Sequence, residues 1–239
     1  MQSYEQNKTD TLRIAIQKSG RMCQDSLDFL YKTFGIKAKI EEGCLNYYDP
    51  QQDIKVFFCR EKDIPKLVTD GIVDLGIAGM NTIKESGNSY DATVKLGFSK
   101  CRLSLAIRDD IFLFRPESFG GQVIATSYPK ILEEYLDDND IDAEVYELSG
   151  SVEAASALGV AMAICDLVET GTTLRQNNLR EVCTVMQSEA MAILGDNYKS
   201  LNNVASKEMM KFNLNKFPFI NNTKRSLALT LDRNCRVYN

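Results

Sequence analysis

Residues 163–174 read Ala-Ile-Cys-Asp-Leu-Val-Glu-Thr-Gly-Thr-Thr-Leu, and this stretch decides how the chain is read. Ala163, Ile164 and Cys165 are apolar enough for a buried strand, which the pattern ends at Asp166. Glu169 adds a second carboxylate, and Thr170-Gly171-Thr172-Thr173 follows as a turn of small side chains around a glycine. Leu174 to Leu179 reads as the start of a short helix. A strand that runs through a turn into a helix is the repeating unit of an open α/β sheet. Such sheets bind ligands at the carboxyl ends of their strands. The turn directs backbone N–H groups at one point, and the helix N-terminus adds partial positive charge there. That point suits a phosphate. The acids before it suit vicinal hydroxyls or a magnesium ion, so the whole set describes a phosphorylated ribose. Thr-Gly-Thr also occurs in plain strand-to-helix turns, with threonine as cap and glycine at positive φ. The two acids at the strand end favour the ligand reading. No glycine-lysine-serine or glycine-lysine-threonine follows, which excludes a Walker A loop, and there is no GxGxxG.

Outward from this stretch the same rhythm recurs. Leu12 to Ile16 reads as a strand, Gln17 to Arg21 as a turn, and Met22 to Phe34 as a helix with Leu27, Leu30 and Tyr31 on one face. Lys37 to Glu41 is a candidate strand and Ile54 to Cys59 a better one. Asp63-Ile64-Pro65 opens a helix with aspartate as cap and proline in the first turn, and Gly71 stops it. Val73 to Ala78 is a strand, so the first half has a βαβ pattern that predicts a mainly parallel sheet. Further strands are expected at Cys101–Ile107, Val123–Thr126, Ala143–Leu148 and Met162–Cys165, with a connection at Arg108–Ser118 and helices at Ile131–Leu136 and Ser151–Leu158. Val182–Gln187 and Glu189–Leu194 read as two more strands. Beyond Asn202 the pattern weakens to a candidate helix at Val204–Phe212 and a lone strand at Ser226–Asp232.

The chain has 239 residues, enough for one large domain or two small ones. Its hydrophobic content of 44% and charged content of 26% are those of a globular protein, and a net charge of -5 argues against a nucleic-acid scaffold. No apolar stretch approaches the length that spans a bilayer, and Met1 to Asp10 lacks the apolar centre of a signal peptide. Seven cysteines are scattered without CxxC spacing and read as reduced thiols of a cytoplasmic protein. Histidine is absent. That removes a Ser-His-Asp triad, a Cys-His pair and a histidine base together, and leaves carboxylates, lysine, arginine, hydroxyls, backbone amides and a hard metal.

The chain resembles the ATP phosphoribosyltransferases, from about Leu12 to Leu194. The blocks that carry the resemblance are Leu12 to Arg21, Arg60 through Asp63-Ile64-Pro65, Asp70-Gly71-Ile72-Val73-Asp74-Leu75-Gly76-Ile77, and Cys101-Arg102-Leu103-Ser104-Leu105-Ala106. Ile124 through Pro129, Gly150-Ser151-Val152-Glu153 and the quoted stretch through Leu179 continue it. The resemblance implies a fold like the type II periplasmic binding proteins: two α/β lobes with the active site in the cleft between them. After a tail at 1–11, lobe one would be 12–96 and lobe two 97–183. Residues 184–239 would then return to lobe one. The crossings should fall near Lys95 to Lys100 and Glu181 to Gln187. Departures from the family pattern stand at Gln122, Val123, Ser156, Ala157 and Met162.

The implied reaction, the first step of histidine biosynthesis, moves ribose 5-phosphate from phosphoribosyl pyrophosphate to N1 of ATP and releases pyrophosphate. Asp166, Glu169, Thr170, Gly171, Thr172, Thr173 and Leu174 would hold phosphoribosyl pyrophosphate, with Asp166 and Glu153 on the ribose hydroxyls. Lys18 and Arg21 would face the pyrophosphate, bridged by Mg2+. Arg60, Asp74, Arg102 and Tyr128 would contact ATP. The family also implies a homo-oligomer. Long members carry a C-terminal histidine-binding domain, which this sequence is read as lacking, and short members rely on a subunit resembling a histidyl-tRNA synthetase. The competing reading is a cytoplasmic two-lobed sensor that binds a phosphorylated metabolite without turnover.

Overall fold

A computed structural model describes residues 11–90, 92–111 and 116–195. Its first elements are β1 (Leu12–Gln17), α1 (Arg21–Phe34), β2 (Asn46–Asp49), β3 (Ile54–Cys59), α2 (Ile64–Thr69), β4 (Leu75–Gly79), α3 (Met80–Ser86) and β5 (Ala92–Lys95). There follow β6 (Cys101–Arg108), β7 (Val123–Thr126), α4 (Pro129–Asp138), β8 (Glu144–Glu147), α5 (Glu153–Ala157), β9 (Ala163–Val168), α6 (Thr172–Gln176), β10 (Leu179–Ser188) and β11 (Ala190–Leu194). These residues fall into two units. One contains 11–79, 88–99 and 190–195, the other 80–87 and 100–189.

The first unit is built on one sheet of order β2-β3-β1-β4-β11-β5. β1 pairs in parallel with β3 and β4, because its Leu12, Ile14 and Ile16 need a cover that the crossover helices supply. Leu30 and Phe34 of α1 close over that face. Burying each such side chain is worth about 1.5–3 kcal/mol. On β4, Gly76 lets α2 lie directly on the strand: a Cβ there would stand 2.6 Å from Ile64 Cγ2 and 2.8 Å from Val68 Cγ2. Arg13 and Asp74 tie β1 to the start of β4. The guanidinium donates to Asp74 Oδ1 at 2.7 Å and Oδ2 at 3.0 Å, and the Arg13 N–H donates to Oδ2 at 2.8 Å.

The second unit is built on a sheet of order β10-β6-β9-β7-β8. Side chains alternate across it. Leu103, Leu105 and Ile107 of β6 join Ala163 and Cys165 of β9 under α4. On the opposite face Ala106, Ile164 and Val168 pack with Val152 and Ala155 of α5 and Leu174 of α6. Arg102, Ser104 and Asp166 share the parity of that second face, and Ser104 lies opposite Asp166 in the β6–β9 register. The helix α3 belongs with this unit: Lys84 pairs with Glu134 of α4 at 2.8 Å, and the Glu85 carboxylate accepts the N–H groups of Lys130 and Ile131, both at 3.1 Å.

Several expectations are corrected. The sheets are mixed rather than mainly parallel, since β2, β5, β6, β10 and β11 pair only antiparallel. No strand forms at Lys37–Glu41; the edge strand stands later, at Asn46–Asp49. The strand expected to end at Asp166 runs on to Val168, because Leu167 and Val168 still pair with Leu103 and Arg102. The helix expected from Leu174 starts at Thr172 and ends at Gln176, and Leu179 already opens β10. Asp63 makes no side-chain cap, because a 3₁₀ turn at Glu61–Asp63 feeds straight into α2. The chain leaves the first unit after Gly79, returns at Asn88, leaves again after Ser99 and returns at Ala190. The tail before residue 11, the candidate helix at Val204–Phe212 and the strand at Ser226–Asp232 lie outside the described residues.

Candidate functional site

Asp166 sits near the carboxyl end of β9, half-buried, on the face that carries α5 and α6. Its Oδ1 accepts the N–H of Leu167 at 2.8 Å, which fixes the carboxylate near the backbone. After Val168 the chain turns through Glu169, Thr170 and Gly171. Gly171 has φ +73°, a left-handed conformation that side chains resist, and it delivers the chain into α6. Helix geometry leaves the first N–H groups of α6 without intrahelical acceptors. The N–H of Thr172 reaches only Thr170 Oγ1, at 3.4 Å, and the two hydroxyls lie 3.0 Å apart. The result is an exposed, donor-rich loop whose acidic neighbour stands just upstream.

Two guanidinium groups hold this loop. Arg175 donates to the carbonyl of Thr170 at 3.2 Å and to Thr172 Oγ1 at 3.1 Å. Arg102 donates to the carbonyl of Glu169 at 3.2 Å. Arg102 is itself clamped by Glu181, Nε to Oε1 at 2.6 Å and Nη2 to Oε2 at 2.5 Å, and Ser104 Oγ donates to Oε1 at 2.7 Å. Burial alone would raise the Glu181 carboxyl, but the hydrogen bonds from Arg102 and Ser104 outweigh it and hold it below the ordinary carboxylate value. Fork-on-carboxylate geometry of this kind is the strong form of an ion pair.

Glu153 opens α5, half-buried, and its carboxylate has no protein partner among the described residues. Tyr128 precedes α4 and is buried with the core on the other face of the sheet. In the first unit, Lys18, Arg21 and Arg60 are exposed at the carboxyl ends of β1 and β3, where Lys18 N–H donates to the Cys59 carbonyl at 2.9 Å. The open end of a parallel pair is where α/β sheets meet ligands. Asp74 is placed differently. It is 1% exposed, and Arg13 occupies both its carboxylate oxygens. Its setting is that of a buried structural ion pair.

Sequence reading did not single out Arg13, Ser104, Arg175 or Glu181. Arg175 had a signal: it stands four residues after Gly171, one helical turn, and so falls over the loop. Arg102 and Glu181 are 79 residues apart and carry no such signal. Among the positions that depart from the family pattern, Ser156 is buried in α5, and its Oγ is the one buried side-chain polar atom without a partner among the described residues. Val123 opens β7 and its carbonyl accepts the N–H of Met162 at 3.0 Å. Among the described residues no group of three or more acidic or cysteine side chains could by itself hold a metal ion. No helix among them is long and apolar enough to cross a membrane.

Known proteins resemble this chain in sequence and in fold. The chain is 45% identical over 180 residues to the ATP phosphoribosyltransferase of Cytophaga hutchinsonii, covering 75% of this chain and 63% of that protein. With the enzyme of the same name from Bacteroides thetaiotaomicron the identity is 42% over 182 residues, 76% of this chain and 64% of the relative. The chain thus spans less than two thirds of the length of these relatives. Among solved structures, an ATP phosphoribosyl transferase (HisG:HisZ) complex from Thermotoga maritima superposes with a TM-score of 0.68 at 25% identity, covering 84% of this chain and 94% of that one. An ancestral arginine-binding protein bound to glutamine gives a TM-score of 0.55 at 16% identity, covering 85% and 93%, a likeness of fold alone. The fold class is the α/β type of the type II periplasmic binding proteins, with a sheet in each unit. The family profile for ATP phosphoribosyltransferase (HisG) matches residues 60–215, and the chain belongs to that family.

Proposed function

We propose that the chain transfers ribose 5-phosphate from phosphoribosyl pyrophosphate to N1 of ATP, the first step of histidine biosynthesis. The observation that carries this is the loop from Glu169 to Leu174, held open behind Asp166 in a chain of this family. In the reaction N1 of adenine forms a bond to C1′ of the ribose as the bond from C1′ to the pyrophosphate oxygen breaks, and that electron pair leaves with pyrophosphate. The sugar ring gains positive charge on the way. Catalysis is therefore a matter of positioning and charge, for which no histidine is needed.

The loop amides and the Thr170, Thr172 and Thr173 hydroxyls take the 5-phosphate. Asp166 and Glu153 accept hydrogen bonds from the ribose hydroxyls and place negative charge beside the ring. Lys18 and Arg21 neutralise the departing pyrophosphate, and Arg60 takes ATP phosphates. Arg102, expected from the sequence at ATP, is given to the loop instead, since Glu181 and the Glu169 carbonyl engage its three guanidinium nitrogens. Tyr128 is too deeply packed for more than an edge of contact with adenine. The donor set suits Mg2+: carboxylate oxygens are hard ligands, and this ion is commonly held by one or two of them together with substrate phosphate. Asp166 or Glu169, the acids before the loop, would hold it, and it would supply charge neutralisation there. The relatives' shared name supports the transferase over a sensor without turnover. We place the enzyme in the cytoplasm, on its scattered thiols, and as an oligomer; the Thermotoga maritima complex makes a HisZ-like subunit the partner to test by co-purification.

Purified chain is to be incubated with ATP, phosphoribosyl pyrophosphate and magnesium, alone and with such a subunit, while product absorbance and pyrophosphate are followed. Formation of both products in equal amount supports the reading. Neither product under both conditions, from a chain that remains folded, removes it.

A further inference from the structure

We infer that Arg102 and Arg175 are positioning residues that fix two successive peptide planes of the ribose-phosphate loop, and so aim its N–H groups at the anion. The inference rests on the reading of that loop as the 5-phosphate cradle. A trans peptide is planar, with its C=O and N–H pointing in opposite directions, and the described backbone contains no cis bond. Holding one end of the plane therefore orients the other. Arg102 grips the carbonyl of Glu169, which sets the direction of the Thr170 N–H. Arg175 grips the carbonyl of Thr170, which sets the direction of the Gly171 N–H. The two planes are consecutive, and each guanidinium approaches from its own element, β6 and α6.

Each arginine is also held in turn. Arg102 uses its other two nitrogens on Glu181, whose carboxylate is steadied by Ser104. Arg175 uses its second nitrogen on Thr172 Oγ1. A lysine in either place would keep the charge but could not bridge two acceptors in a fixed fork. Positioning through geometry is thereby separable from attraction through charge. Gly171 completes the device, since its own carbonyl accepts the N–H of Arg175 at 3.1 Å and closes the turn beneath the side chain.

The test measures calorimetric dissociation constants of Arg102→Lys, Arg175→Lys and Glu181→Gln for phosphoribosyl pyrophosphate with magnesium, and for ATP. Melting temperature is recorded beside them. Each lysine variant is expected to weaken phosphoribosyl pyrophosphate about tenfold or more, the loss of one charge-assisted hydrogen bond, while ATP stays within about twofold. Glu181→Gln, which frees Arg102 from its clamp without changing shape, should show a smaller loss of the same kind. Should Arg102→Lys fail to fold, the exposed Arg175→Lys carries the test. Parental affinity in a folded lysine variant overturns the inference, and so does equal weakening of both ligands. A parent chain that does not bind phosphoribosyl pyrophosphate at all would instead remove the underlying reading of the loop.

Discussion

A terminal nitrogen of Arg175 lies 3.3 Å from the point where a β-carbon on Gly171 would stand. The glycine is thus constrained twice, by its φ of +73° and by the guanidinium folded over it. Any side chain at 171 must strain the backbone, and must also displace the Arg175 guanidinium by a few tenths of an ångström.

Gly171→Ala should therefore cost about 1 kcal/mol of stability through its backbone alone. It should weaken phosphoribosyl pyrophosphate measurably, because the flexible Arg175 can move aside. Gly171→Val adds β-branching at the same place and should abolish that binding, with ATP affinity unchanged. Calorimetry with each ligand separately decides it. A valine variant that binds phosphoribosyl pyrophosphate like the parent makes the loop structural and ends the proposed assignment.

What was legible in the sequence follows from where the information lies. β3 and β7 are legible residue for residue, because both are short, mostly apolar runs bounded by polar turns, β3 with buried positions alternating around Lys55. Thr170-Gly171-Thr172 was legible because its conformation depends on one glycine. β2 and β5, of four residues each, were not, since a short edge strand takes its pairing from a neighbour. Lys37-Ala38-Lys39-Ile40-Glu41 alternates like a strand, but no neighbour offers it a ladder. The ion pairs of Arg102 with Glu181 and of Arg13 with Asp74 join residues 79 and 61 positions apart, and only the finished sheet register brings them together.

Asp166 and Glu153 offer the sharpest test of the chemistry. Asp166→Asn keeps the shape and the contact with Leu167 but loses the negative charge, and Glu153→Gln does the same at the start of α5. Each should lower kcat/KM roughly tenfold or more, as a charge-assisted hydrogen bond in the transition state is worth about 1.5–3 kcal/mol. Melting temperatures should stay near that of the parent. Unchanged turnover in both variants would take the ribose hydroxyls away from these two acids.

Ser156 predicts a gain. Its buried hydroxyl lacks a partner, and an unsatisfied polar group of this kind costs about 1–3 kcal/mol. Ser156→Ala removes it and puts the better helix former into α5. A rise in melting temperature with unaltered kinetics is expected; a fall means that the hydroxyl has a partner in solution.

The Glu181 carboxyl gives the pH dependence a sign. Its folded value lies below the ordinary 4.5, so the folded state binds the proton less readily than the unfolded chain. The stabilisation is therefore fully present well above 4.5 and is lost as pH falls past that value through the lower, folded one. Glu181→Gln should flatten this part of the stability profile while leaving the neutral region parallel to the parent. Chemical denaturation at pH steps between neutrality and the acid limit reads it, and an equally steep acid loss in the glutamine variant would assign the effect to other carboxylates.

The last prediction separates structure from chemistry in the first unit. Asp74 is buried at 1% exposure and binds Arg13 three ways, twice through the guanidinium and once through the backbone N–H. Removing one partner of a buried pair leaves the other without compensation, at a cost of about 3–5 kcal/mol. Arg13 retains 27% exposure and can recover part of that in water, so Asp74→Ala should cost about 3 kcal/mol, the lower end. Asp74→Asn keeps one acceptor oxygen for the Arg13 N–H and should cost less. If Asp74 acts only by joining β1 to β4, ATP affinity measured on the folded fraction of the asparagine variant will match the parent. A selective loss of ATP binding there, with the melting temperature preserved, would restore Asp74 to the nucleotide contacts and show that the ion pair with Arg13 opens when ATP binds.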